Sequence, residues 1–257
     1  RSAYNIKDYE TSTKYYKLIA TETNKIVNFY EYFKVASMNS SIEELEKLFL
    51  YYKENYKGTK DYAKDMYDIM GTAYANLNRN VEAEKIYLDA LQITNDPLLV
   101  ENLSIIQVRL KKFNEAYKNI NSLEKTDSRE LVKGTILINL KKYSEAETIF
   151  KTISKTSKDK DVKEKGYLKL AELYLLQNKY NEIINLNKDY ESEKYKSKEM
   201  NDYIAIAYLR LGQFEKSREK YNENINLSPD EKGNNLLMIA ESYYNEEKFA
   251  EAKKYSA

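Results

Sequence analysis

A chain of 257 residues with 42% hydrophobic and 32% charged residues is long enough for one or two domains and too apolar to stay disordered. Its 42 basic and 41 acidic residues leave a net charge of +1, which excludes the strongly basic balance of a protein that releases counterions from phosphates. With no Cys, no His and no Trp, the chain has no disulfide, no thiolate nucleophile, no Cys/His zinc site and no Ser-His-Asp triad.

Only two Pro and six Gly are present, too few breakers for a many-stranded β protein, and abundant Lys, Glu, Leu and Tyr point to helices. Residues 1–25, with Tyr9, Ser12, Tyr16 and Ile19 at helical spacing, read as the second helix of a pair whose first is missing. Residues 26–63 hold a degenerate pair: Phe29, Tyr32, Phe33 and Ala36, then Ile42, Leu45, Phe49 and Tyr52, with Ser41 and Glu44 at capping-box spacing. Residues 64–163 contain three further pairs, and residues 164–257 three more, the last cut short, in one continuous array. The clearest copy is Gly71, Tyr74, Ala83, Tyr87 and Ala90.

Across these six copies a first small site falls on Gly71, Ser104, Gly134, Ala171, Ala205 and Ala240, separated by 33, 30, 37, 34 and 35 residues. A second site falls on Ala83, Ala116, Ala146, Ile183, Ser217 and Ala252. Three residues before it stand Phe113, Tyr143, Tyr180, Phe214 and Phe249, with Asn80 as the exception. Asp96-Pro97 and Ser228-Pro229 each place a capping side chain before Pro at the first helical position, and Ser228 with Glu231 repeats the capping-box spacing. Two stretches break the period. Residues 154–163 read as an exposed charged loop, and residues 188–199 as a polar junction where the chain bends or moves.

This small-aromatic-small-aromatic pattern resembles the tetratricopeptide repeat family, with six copies in phase over about residues 64–257. The resemblance implies an all-α, right-handed superhelical solenoid of antiparallel helix pairs, in which the first helix of each pair lines a concave face where ligands lie. Helical geometry turns inward the residues one, four and five after the first small site and three before it. On that basis the partner-binding residues are Asn76, Ile105, Val108, Arg109, Ile138, Asn139, Leu175, Ile206, Leu209, Arg210, Tyr244 and Asn245. They form a groove with an apolar middle, suited to a partner helix or extended segment, and a row of Asn and Arg able to bond a backbone or a carboxylate. The carboxylate clamp of co-chaperone members of the family is absent. Its places hold Asp68, Thr72, Asn102, Leu98, Ser128 and Val132, of which only Asn102 fits.

Other motifs are explained more simply. Glu43/Glu44 and Glu246/Glu247 are consecutive carboxylates on solvated helix faces and not a converging catalytic pair, and Gly71 and Gly134 serve helix packing and not a phosphate loop. No run of 18 apolar residues spans a membrane. The reading that results is a non-enzymatic scaffold that binds a protein or peptide, with no cofactor, no metal and no nucleic-acid partner. An excess of Lys over Arg, 36 to 6, suggests a bacterial source, in cytoplasm or cell envelope, and the family resemblance suggests envelope assembly or secretion. The chain starts at Arg1 and both ends cut through a repeat, so it reads as an excerpt whose unpaired ends could self-associate. The alternative is a sensor or scaffold segment of a larger regulator or enzyme.

Overall fold

The computed structural model describes residues 9–256 except 57, 58 and 61; Arg1, the side chain of Tyr9 and Ala257 lie outside the described residues. The described residues form fifteen α-helices and one 3₁₀ turn, with no strand, and group into two compact units divided after Lys125. The first unit holds α1 (Tyr9–Thr23), α2 (Ile26–Ala36), α3 (Ile42–Asn55), α4 (Ala63–Asn76), α5 (Asn80–Leu91), α6 (Pro97–Arg109) and α7 (Phe113–Asn121). The second holds α8 (Asp127–Asn139), α9 (Tyr143–Thr156), α10 (Lys160–Leu176), α11 (Tyr180–Ser192), α12 (Lys198–Arg210), α13 (Phe214–Leu227), the 3₁₀ turn Pro229–Glu231, α14 (Lys232–Asn245) and α15 (Phe249–Tyr255).

Within each unit every helix packs on the next in sequence. First helices also pack directly on the next first helix: α2 on α4, α4 on α6, α8 on α10 and α10 on α12. Within a pair, the two helices need small residues where they cross. A Cβ at Gly71 would lie 2.6 Å from the Tyr87 ring, and one at Gly134 2.5 Å from the Phe150 ring, so both aromatics rest on bare backbone. Ala83, Ala116, Ala146, Ile183 and Ser217, at the second small site, are fully buried. The aromatics Phe113, Tyr143, Tyr180, Phe214 and Phe249 each open a second helix, and Asn80 opens α5 in their place.

The turn joining the helices of a pair repeats six times. Asn78, Lys111, Lys141, Asn178, Gly212 and Glu247 all have φ between 57° and 71°, each seven residues after its first small site. The following N–H reaches back over the turn to a carbonyl five residues earlier: Arg79 to Tyr74, Lys112 to Gln107, Lys142 to Leu137, Lys179 to Tyr174, Gln213 to Tyr208 and Lys248 to Tyr243, at 2.8–2.9 Å. This Schellman closure satisfies orphan carbonyls at the helix end, and the left-handed residue reverses the chain.

Three expectations need correction. Residues 154–163 are largely helical: α9 runs to Thr156 and α10 starts at Lys160, with Ser154 and Ser157 buried. Asp159 makes this possible, because its carboxylate accepts from the Asp161 and Val162 N–H groups and caps α10. The extra residues of the 37-residue spacing are absorbed into longer helices, 14 residues in α9 and 17 in α10. Residues 188–199 are also mostly helical, since α11 extends to Ser192 and α12 begins at Lys198, capped by Ser197 accepting from Met200 N–H. Ser228 makes no side-chain cap; Pro229 opens a 3₁₀ turn there, and the bond is from Glu231 N–H to the Ser228 carbonyl. The caps at Asp96 (to Leu98 N–H, 2.9 Å) and Ser41 (to Glu44 N–H, 3.3 Å) form as the sequence indicates.

Candidate functional site on the first helices

The inward positions of the first helices, one, four and five residues after each small site and three before it, form the candidate site. In the first unit this face is polar and internally bonded. The Asn102 amide donates to Asp68 at 2.7 Å, the Tyr87 hydroxyl donates to the same carboxylate at 3.4 Å, and Thr72 lies 3.2 Å from that hydroxyl. Burial pushes the Tyr87 phenol up to about 12, with Thr72 opposing the rise and Asp68 adding to it. Asn102, the one clamp-like residue, is therefore engaged with Asp68. Arg109 is exposed, yet its guanidinium bonds the Ala75 carbonyl at 3.0 Å, closing the C-terminal end of α4 from the neighbouring repeat. Ile105 and Val108 are half-buried beside it, and Asn76 is exposed.

The second unit presents a more apolar face. On the adjoining helices α8, α10 and α12, Ile138, Leu175 and Ile206 are half-buried. Leu176 is 55% exposed, and on α14 Leu237 is 59% and Tyr244 63% exposed, the last with its ring 5.3 Å from Phe249 in an edge arrangement. Arg210 is exposed and, unlike its counterpart Arg109, has no ion pair or side-chain hydrogen bond among the described residues. Behind it stands Tyr221, whose phenol is pushed up by burial, with Asp202 and Glu241 adding and Arg210 opposing. Thr72, which partners Tyr87, is replaced by Ile206 in this repeat, and the buried Tyr221 hydroxyl bonds no protein atom.

One predicted residue is removed from the face. Leu209 is only 8% exposed and belongs to the core, because the neighbouring helices cover the position four after Ala205. The Asn row also differs from the expectation: the Asn139 and Asn245 amides donate to the Thr135 and Glu241 carbonyls of their own helices, both at 2.9 Å, leaving their side-chain oxygens to face outward. Leu237 is the addition, and Leu176, an inward position of the sequence reading, joins it by its exposure. Both sit at inward positions of the repeat geometry, three before and five after a small site, so the spacing was the clue and exposure the missing quantity. Among the described residues, no group of three or more acidic side chains is placed to hold a metal ion.

No protein-family model matches the sequence, and no curated protein matches it. Solved structures do. A tetratricopeptide repeat protein from Parabacteroides merdae is 16% identical with a TM-score of 0.61, covering 95% of this chain and 91% of the other. PilF of Pseudomonas aeruginosa is 17% identical with a TM-score of 0.59, over 76% of this chain and 90% of that one. The Cut9–Hcn1 hetero-tetramer of the APC/C is 12% identical with a TM-score of 0.61, over 96% of this chain and 48% of the matched one, so this chain spans about half its length. The paired helices, the recurring left-handed turn and these likenesses agree: the chain has the tetratricopeptide-repeat, α-solenoid fold.

Proposed function

We propose that this chain is a non-enzymatic scaffold and that the first-helix face of its second unit holds an apolar segment of a partner protein. The carrying observation is that Leu176, Leu237 and Tyr244 are more than half exposed on first helices, while most large apolar side chains of that unit are buried or half-buried. Exposed apolar side chains on first helices supply anchors for a helix or extended peptide, and the exposed Arg210 of α12 supplies a guanidinium for a carboxylate. The excess of Lys over Arg and the family resemblance support a bacterial setting and a role in envelope assembly or secretion. Among the described residues no helix is long and apolar enough to cross a membrane.

The test is capture of partners by the parent chain and by a Leu176→Asp/Tyr244→Asp variant. Both positions are exposed, so the variant should keep its helical circular dichroism and lose the partner. Equal retention by the two proteins would move the binding surface elsewhere.

A further inference from the structure

Besides the first-helix face, the molecule carries clefts formed where two helices flank a third. In the second unit, one of about 550 Å³ lies among α11, α12 and α13. Its carboxylates are already occupied: Glu191 takes the Asn187 amide, and Glu223 takes Lys220 and the Asn201 amide, so its mixed lining selects no one chemistry. A cleft in the first unit does select one. There α1 and α3 wall a groove of about 320 Å³ over α2, at the lower end of the ~300–1,000 Å³ of small-molecule sites.

Its floor is aromatic and apolar. Phe29 and Tyr32 of α2 are buried, Leu48 of α3 is half-buried, and Tyr51 is 43% exposed with its ring 5.3 Å from that of Phe29. Among the lining residues, Lys17 on α1 and Lys47 on α3, both exposed and without an ion pair among the described residues, face the one carboxylate of Glu44, with Glu43 outside the lining acting on Lys47. Apolar contact area rewards a hydrocarbon or aryl body, and a net positive wall rewards an anionic head and penalises a cationic one.

We propose that the α1–α3 groove binds an amphiphilic carboxylate, its acyl chain lying on Phe29, Tyr32, Leu48 and Tyr51 and its head group held by Lys17 and Lys47. The site is separate from the partner-binding face of the second unit, so the two readings stand or fall independently.

The experiment titrates decanoate, below its aggregation concentration, into the full chain and follows backbone amides by NMR. Decyltrimethylammonium serves as the charge-reversed probe. The expected result is saturable shifts confined to α1, α2 and α3, with binding of the cation weaker by about tenfold or more. A Lys17→Glu/Lys47→Glu variant, both positions solvent-facing, should weaken decanoate by a similar factor while leaving circular dichroism unchanged. Tyr51→Ala should weaken both probes by removing part of the aromatic floor. The proposal is overturned if millimolar decanoate gives no saturable shift, if the two probes bind alike, if the shifts map to other helices, or if the lysine variant binds as the parent does.

Discussion

Individual side chains in this protein are decided by what lies across a helix crossing. Gly71 is tolerated inside α4 because the Tyr87 ring occupies the space of a Cβ, and the Tyr87 hydroxyl is pinned by Thr72 and Asp68. Gly71→Ala gains about 1 kcal/mol of helix propensity but overpacks this contact by about 1–3 kcal/mol, so a net loss in urea denaturation is expected. Ala83→Leu, at a fully buried crossing, should lose about 1–3 kcal/mol in the same measurement. Asn80 offers the opposite case. It occupies the place of an aromatic in the other pairs, and its side-chain oxygen is buried without a partner. Asn80→Phe should raise stability by roughly 1 kcal/mol, by removing the unsatisfied atom and adding apolar burial. The small and aromatic sites were legible from spacing alone because they recur in phase. Leu209 was not, because the inward position four after a small site is solvent-facing or covered according to a neighbouring helix that no local pattern encodes.

At the scale of helices and turns, five of the six left-handed turn positions carry Asn, Lys or Glu, and only Gly212 has the residue that adopts this conformation without strain. Lys141→Gly should therefore stabilise by about 0.5–1 kcal/mol, read as a higher urea midpoint with unchanged slope. A lower midpoint would show that the lysine side chain contributes more than the turn strain costs. These turns were invisible in the sequence for the same reason, since Lys at a left-handed position carries no mark of it. The charged run at 154–163 misled in the other direction. Its composition is that of a loop, but Asp159 caps a helix whose Val162, Gly166 and Tyr167 face the interior, and the charges are simply its outer side. Capping and an apolar stripe outweigh local polarity once a neighbouring helix is present to receive them.

For each unit as a whole, stability is close to a sum of nearest-neighbour terms, and those terms are uneven. The first unit has a broad aromatic core, with Phe29, Phe33, Phe49, Tyr52 and Tyr67 in mutual ring contact along α2, α3 and α4. Burial raises the Tyr52, Tyr74 and Tyr87 phenols to about 12 from an ordinary value of 10.0. A raised folded value means the unfolded chain loses its phenol protons first. The stabilisation is thus complete below pH 10 and falls as pH climbs from 10 through 12. Thermal melts over that window should show a steep loss, reduced in slope by Tyr87→Phe. In the second unit, α12, α13 and α14 share a smaller core of Ala205, Tyr221 and Ile239, interleaved with buried Ser217, Arg218, Asn224, Asn235 and Ser242. The Ser217 hydroxyl and the Asn224 side-chain oxygen have no partner among the described residues. Hydrogen exchange should accordingly open α13 and α14 at lower free energy than α4 and α5, by at least tenfold in protection.

The bonds that tie one repeat to the next have a particular span. Asn102 to Asp68, Arg109 to Ala75 and Lys179 to Glu147 bridge 34, 34 and 32 residues. During synthesis, each of these links can form as soon as about one further helix pair has left the ribosome. The nascent protein can therefore consolidate stepwise behind the exit tunnel, with little apolar surface waiting for a distant segment to arrive.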